Sequence, residues 1–326
     1  MTVTSRLSAD ADGCLTTHLA RISPSAKVEL IPALAKGVIC GRETVSSMAK
    51  RTNALVMVNG SYFHTTGEIL GLMKLGGEIV STDHAAPRSA VGRSSDGRYL
   101  FGAVRYEGIL TLADGRTVPV SGVNRERGED MCIVYRPSFG THTGTNGYGT
   151  EYIVRDGHVT GATEGNSPLE AGTLVISAHG KAREALVGMQ VGDKVTIGEK
   201  LGGRWDKADW IVGAGPMLVK DGRIHITAQE EAFGADVASG RAPRSAVGIT
   251  KDGTLLLAVV EGRHELSRGA TLSELAAWLK AEGAVHAVNL DGGGSSVLWA
   301  GGSIISTPSD KRERQVGNAI GIFMKK

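Results

Sequence analysis

PRSAVGRSSDGRYLFGAV (87–104) and PRSAVGITKDGTLLLAVVEG (243–262) open on the same six residues and then follow the same plan. Each passes from a β-rich run into a two-residue turn, Asp96-Gly97 or Asp252-Gly253, and out into a second β-rich run. Asp-Gly between β-formers signals a hairpin, because glycine supplies the positive φ such turns need. An identical hexapeptide with matching flanks points to an internal repeat.

The likeness extends upstream. Gly71-Leu72-Met73 leads through Gly76-Gly77 to Glu78-Ile79, and Gly215-Pro216-Met217 leads through Asp221-Gly222 to Arg223-Ile224. The second copy carries extra residues around Ala228–Gly240, and loop insertions of this kind cost little. A third element sits at opposite ends of the chain. TVSSMAKRTNALVMVNGSYF (44–63) reads as a helix, a β-run and Asn-Gly, and TLSELAAWLKAEGAVHAVNLDGGGSSVLW (271–299) reads as a helix, a β-run and Asp-Gly. In the latter, Thr271 and Glu274 form a capping box, Leu272, Leu275, Ala276 and Leu279 share one face, and Gly283 ends the helix.

The expected fold is therefore α+β. A pseudo-twofold duplicated core of antiparallel or mixed sheet, with a few helices, occupies residues 44–104 and 213–323 of a single domain over 1–326. Residues 105–205 form an all-β insert of short strands such as MCIVYRP and GTLVISAHG. Asn59 and Asp291 are counterparts in this scheme. No βαβ alternation supports a doubly wound sheet.

Composition narrows the function. The net charge of +2, with no basic stripe or tail, excludes nucleic acid as the main ligand. The densest basic cluster, KRER at 311–314, reads as a solvated loop. Forty-six glycines scattered between β-runs mean many tight turns, and aromatics at 5% disfavour an aromatic-lined polysaccharide groove. Cys14, Cys40 and Cys132 have no metal-ligand spacing and read as reduced, buried residues. No stretch approaches a membrane span, and the N-terminus has no basic-then-apolar leader. The expected location is cytoplasmic or virion-associated, or outside the cell after loss of a leader, with no membrane partner.

Leu290-Asp291-Gly292-Gly293-Gly294-Ser295-Ser296 carries the strongest chemical signal. An apolar strand delivers a carboxylate, and the glycines that follow let backbone N–H groups and two hydroxyls approach an anion. A plain turn is the other reading. Neither a P-loop nor a dinucleotide fingerprint fits. Asn59-Gly60-Ser61 gains weight from its place in the repeat. Arg88 and Arg244, heading the two PRSAVG copies, could grip a phosphate or be structural. Glu261, followed by Gly262 and Arg263, could pair with Asp291 as the second acid of a glycoside cleavage. In the insert, Asn124 and His179 lie beside glycine-rich turns. No HExxH, GxSxG or Cys–His arrangement is present.

VNGSYF (58–63), GAGPMLVKDG (213–222), the second PRSAVG hairpin, VNLDGGGSS (288–296) and VGNAIGIF (316–323) together resemble the phosphodiester glycosidase family. The resemblance covers the chain from about residue 25 on. It implies a sugar phosphodiester or glycan as partner, resembling a GlcNAc-1-phosphodiester, and hydrolysis at the anomeric carbon. Asp291 is then the nucleophile or base and Glu261 the second carboxylate. Arg244 and the Gly292–Ser296 backbone would hold phosphate, Asn59 and Asn289 sugar hydroxyls, with Gly60, Ser61, Arg88 and Arg263 close by. Where Asp-Gly-Arg is expected, the chain has Glu261-Gly262-Arg263. No cofactor is required. A divalent cation near Asp291 and a non-catalytic phosphosugar- or nucleotide-binding role on an exopolysaccharide- or virus-associated protein are the alternatives.

Overall fold

The computed structural model describes residues 1–84 and 86–325. Strands dominate and helices are few and short, which makes the protein α+β. Both PRSAVG hairpins form. Ser89–Ser94 pairs with Tyr99–Ala103, and Arg244–Thr250 pairs with Leu255–Val260. Gly97 and Gly253 each adopt a φ of 87° at the turn.

Each hairpin enters a sheet of the same strand order. The first runs Glu78–Ser81, Met73–Leu75, Ala208–Gly213, Ser89–Ser94, Tyr99–Ala103. The second runs Arg223–Ile224, Met217–Lys220, Ala284–Asn289, Arg244–Thr250, Leu255–Val260, and continues into the N-terminal hairpin Gly13–Ile22 and Thr2–Asp10. A third sheet repeats the order with Ser303–Ile304, Leu298–Ala300, Val56–Asn59, Asn318–Met324 and Val28–Leu34. Here NAIG takes the place of SAVG. The strand at the centre of the first PRSAVG sheet is therefore Ala208–Gly213, whereas Val56–Asn59 centres the third sheet.

Register shifts the expected counterpart of Asn59. Asn59 lies opposite Ala319, Asn289 opposite Ala246, and Gly213 opposite Ala90. Asn289, not Asp291, holds the position of Asn59.

Side chains alternate along a strand, so Ala and Val of each motif face opposite ways. Val91, Val247 and Ile320 point into one shared core with Val58, Val212 and Val288. The alanines face three different covers. Ala246 packs under the helix Leu272–Ala281 with Leu275 and Leu279. Ala319 packs under the helix Val45–Thr52 with Met48 and Ala49. Ala90 packs under residues of the 105–205 region, including Leu110, Val118 and Val134. That region does for the first sheet what a helix does for the other two. It is not all-β: after the extended His179, Gly180 turns with a φ of 54° into the helix Gly180–Ala185, built from good helix formers.

The helix Leu272–Ala281 has the capping box read from its sequence, with Thr271 accepting from the Glu274 N–H at 3.2 Å and Glu274 accepting from the Thr271 N–H at 2.8 Å. Thr271→Ala should lower unfolding free energy by about 1 kcal/mol, read from the denaturant midpoint.

Candidate active site

The strand ends that follow Asn59 and Asn289 meet. Asn59 Nδ2 donates to the Asp291 carbonyl at 2.6 Å, and the Asp291 N–H donates to the Gly60 carbonyl at 2.9 Å. Asn59 Oδ1 accepts from Ser245 Oγ at 2.7 Å. Asn318 Oδ1 accepts from the Ser61 N–H at 2.7 Å, and its Nδ2 donates to Ser61 Oγ. Asn289 Nδ2 donates to Tyr62 Oη at 2.9 Å and to the Gly215 carbonyl at 3.1 Å. All three asparagines are fully buried. Their bonds fix the backbone beneath the site: Asn59 spends both ends of its amide on it, whereas Asn289 Oδ1 is buried without a partner.

Asp291 emerges from this lattice into a cleft of about 790 Å³. Tyr62 and Phe63 wall the cleft together with Arg42, Arg312 and Arg314. Burial pushes the Asp291 carboxyl up to about 6, although hydrogen bonds from Ser295 and the Gly292 N–H work against the rise. An acid that changes charge near neutrality, in a cleft with three guanidinium groups, suits acid–base or nucleophilic work on an anionic substrate. Of the residues predicted from sequence, Asp291 is the one that lines this cleft.

Gly292, Gly293, Gly294, Ser295 and Ser296 form a tighter turn than the expected open anion cradle. The segment closes as a 3₁₀ turn over Gly293–Ser295 that engages four of its N–H groups and leaves the buried Ser296 hydroxyl without a partner. Gly292 N–H binds Asp291 Oδ1, Gly293 N–H binds the Pro243 carbonyl, and the Ser295 and Ser296 N–H groups turn back on Gly292 and Gly293. Gly294 lies directly beneath an ion pair: a Cβ there would stand 2.2 Å from both Arg314 Nη2 and Asp310 Oδ2, so those two side-chain ends would have to move aside.

Glu261 lies outside the cleft lining. It is 5% exposed and accepts from His18 Nε2 at 2.7 Å and from the Thr307 N–H, with His264 Nε2 3.0 Å from its other oxygen. Burial works to raise its pKa, but the hydrogen bonds from His18 and Thr307 prevail and hold it below the usual carboxylate range. In this structure both carboxylate oxygens of Glu261 face protein groups, one taking the His18 and Thr307 bonds and the other lying beside His264.

Arg244 is engaged by the fold. It is 2% exposed, and its guanidinium donates to the carbonyls of Ala270, Val237 and Gly240. Arg88 instead lies 4.3 Å from the Phe233 ring centroid and 5.3 Å from that of Tyr62, bracing the back of the tyrosine that faces the cleft. Arg263, at a φ of 66°, brings its guanidinium to 3.3 Å from where a Gly293 Cβ would stand. Asn124 and His179 are remote in contact terms. Asn124 is buried against Val80, Ser138 and Arg136, and His179 precedes the helix Gly180–Ala185. Among the described residues no three His, Cys, Asp or Glu side chains gather as a metal site.

Sequence reasoning missed Arg42, Asp310, Arg312 and Arg314. The KRER run is not simply a solvated loop: Glu313 accepts from the Ser46 N–H at 2.7 Å and from its hydroxyl, pinning the run to the start of the helix Val45–Thr52. A usable signal was its position just before VGNAIGIF, the strand that pairs with the Asn59 strand. The 62–70 loop also lends His64 and Glu68 to a second cleft of about 600 Å³, which none of the predicted site residues lines.

A family model described as phosphodiester glycosidase matches residues 148–323, more than half of the chain. The chain is 34% identical over 102 residues to the mouse N-acetylglucosamine-1-phosphodiester alpha-N-acetylglucosaminidase, covering 28% of this chain and 20% of that enzyme. It is 39% identical over 108 residues to an SPbeta prophage-derived uncharacterized protein of Bacillus subtilis, covering 33% of this chain and 16% of that one. The matches thus span a fifth or less of these relatives. A hypothetical protein from Synechocystis superposes with a TM-score of 0.87 at 25% identity, over 98% of this chain and 61% of that one. The zebrafish N-acetylglucosamine-1-phosphodiester alpha-N-acetylglucosaminidase catalytic domain shares the fold at a TM-score of 0.58 and 19% identity, over 98% of this chain and 82% of its own.

Proposed function

The chain belongs to the phosphodiester glycosidase family, and on that premise we propose that it hydrolyses a glycosyl-1-phosphodiester at the anomeric C–O bond. The products are the free sugar and a phosphomonoester. The observation that carries this reading is Asp291, a carboxylate with its pKa raised to about 6 in a cleft walled by Arg42, Arg312 and Arg314. Water oxygen bonds to the anomeric carbon as the bond from that carbon to the phosphate oxygen breaks. The electron pair leaves on the phosphate and the water proton is released. A phosphomonoester leaves readily, so one carboxylate acting on water or directly on the carbon suffices where ordinary glycosides need two. The arginines answer the charge that grows on the departing phosphate.

The same premise extends to architecture. We read the shared strand order of the PRSAVG sheets as a duplicated unit, with residues 105–205 inserted as its β-rich cover.

The test is a panel of glycosyl-1-phosphodiesters, GlcNAc-1-phosphodiesters first, incubated in heavy-oxygen water with products identified by mass. The label should enter the sugar. Label in the phosphate would mean P–O cleavage and overturn the reading, and recovery of intact ligand in a stoichiometric complex would make the protein a phosphosugar binder. The pH profile supplies a second check. The raised carboxyl is protonated below about pH 6, and a nucleophile or base must be ionised. kcat/KM should therefore rise through about pH 6 instead of levelling off near pH 4.

A further inference from the structure

Arg314 is held at the edge of the cleft by an acid from its own loop. Its Nε and Nη2 both donate to one carboxylate oxygen of Asp310, at 2.9 and 2.6 Å, and its Nη1 lies 3.5 Å from Ser295 Oγ. Ser295 in turn donates to Asp291. The guanidinium thus sits one hydroxyl away from the reactive carboxylate, over Gly294, where a Cβ would stand 2.2 Å from its Nη2. Both members of the Arg314–Asp310 pair are solvent-accessible, at 40% and 32%, so the pair can open without unpacking the core. Arg42 and Arg312 line the same cleft and have no ion pair among the described residues. Arg42 makes one hydrogen bond, to the Thr65 carbonyl. Glu313, the other acid of the loop, is engaged by Ser46 at the helix start.

We infer that Arg314, flanked by Arg42 and Arg312, is the subsite for the phosphate of the substrate, and that Asp310 is an internal anion which the phosphate displaces. This rests on the reading of the protein as a phosphodiester glycosidase. Arg314 offers a planar fork of donors, which a phosphate can accept in the bidentate manner that Asp310 Oδ2 now only approximates. On cleavage the phosphate passes from a diester monoanion to a monoester that carries more charge. The arginine cluster gains from this change, whereas Asp310, left nearby, repels the product and favours its release. Asp310 is therefore a release device as well as a placeholder.

The inference is tested with inorganic phosphate, which needs no turnover, titrated calorimetrically into the wild-type chain and into Asp310→Asn, Arg314→Met and the double variant. Asp310→Asn should bind phosphate several-fold more tightly and show stronger product inhibition. Arg314→Met should bind at least about tenfold more weakly, the loss expected for one charge-assisted contact. In the double variant the Asp310 effect should vanish, because no clasp remains to open. Unchanged or weaker phosphate binding by Asp310→Asn overturns the inference. So does wild-type binding by Arg314→Met, or an absence of saturable binding in wild type and Asp310→Asn alike. Melting curves of each variant show whether a loss reflects the fold. If the phosphate pattern holds but no phosphodiester is cleaved, the hydrolase reading fails and the subsite stands. If phosphodiesters are cleaved while Arg314→Met binds phosphate normally, the subsite fails and the hydrolase reading stands.

Discussion

Asp291→Asn should cut turnover of a glycosyl-1-phosphodiester by roughly a thousandfold or more while making the protein more stable at pH 8. The replacement is isosteric. Its Oδ1 can still accept from the Gly292 N–H, its Nδ2 can donate to the Ser295 hydroxyl, and the backbone bonds to Asn59 and Gly60 are untouched. What it loses is the negative charge. In the fold the Asp291 carboxyl titrates near 6, against 3.8 for the free group. Between those values the folded protein holds a proton that the unfolded chain has released. Stability therefore falls as pH rises through the window, and above it the buried charge costs about 3 kcal/mol. The amide has no such charge to bury. Wild type and variant should melt together at about pH 4 and separate by a few degrees at pH 8, with the inactive protein the more stable. Retained turnover would remove Asp291 from the chemistry, and a variant less stable at pH 8 would mean that the carboxylate is a structural anion.

Much of the fold could be read from residues 87–104 and 243–262, because hairpins, caps and alternation are local properties. The capping box at Thr271 and the two Asp-Gly turns formed where the chain indicated them. The centre of the first PRSAVG sheet could not be read so, because Ala208–Gly213 arrives from more than a hundred residues away and carries no motif of its own. The third sheet hid for a related reason: NAIG keeps the Ala and apolar alternation of SAVG but loses its arginine. Asp291 was legible because a strand-end acid before three glycines is unusual. The groups around it were not. Arg42 and Arg314 come from loops whose sequences read as ordinary surface, and only pairing of VGNAIGIF beside the Asn59 strand brings them to the cleft. Identity of sequence also misled, since Arg88 and Arg244 head the same hexapeptide and do different work. One stacks on Tyr62 and Phe233, and the other is enclosed by carbonyls.

Arg244→Ala should destabilise the fold by about 3–5 kcal/mol, the scale seen when a buried charge or its partners lose their match. The reason lies in the stretch around Ala228–Gly240, which in sequence resembles a dispensable loop. Arg244 donates at 3.0 Å to the Val237 carbonyl and at 2.6 Å to that of Gly240, so the guanidinium is the peg around which this stretch is wound. Burial lowers the pKa of Arg244, the expected sign for a cation taken out of water, and the carbonyl dipoles are its compensation. The same stretch reaches the other PRSAVG copy. Glu231 accepts from the Ser89 N–H at 2.9 Å and from its hydroxyl at 2.6 Å, and Phe233 stacks on Arg88 behind Tyr62. Removing Arg244 strands the Val237 and Gly240 carbonyls, leaves Ala270 only its bond from the Ala242 N–H, opens a cavity and loosens the support of the tyrosine that walls the cleft. Arg244→Lys should recover only part of the loss, because an ammonium cannot match three acceptors fixed around a planar fork. Denaturant unfolding measures both variants. Phosphate affinity of the folded fraction separates the two roles once proposed for this residue: it should stay within about twofold of wild type for Arg244→Lys, whereas a phosphate-gripping arginine would lose tenfold or more.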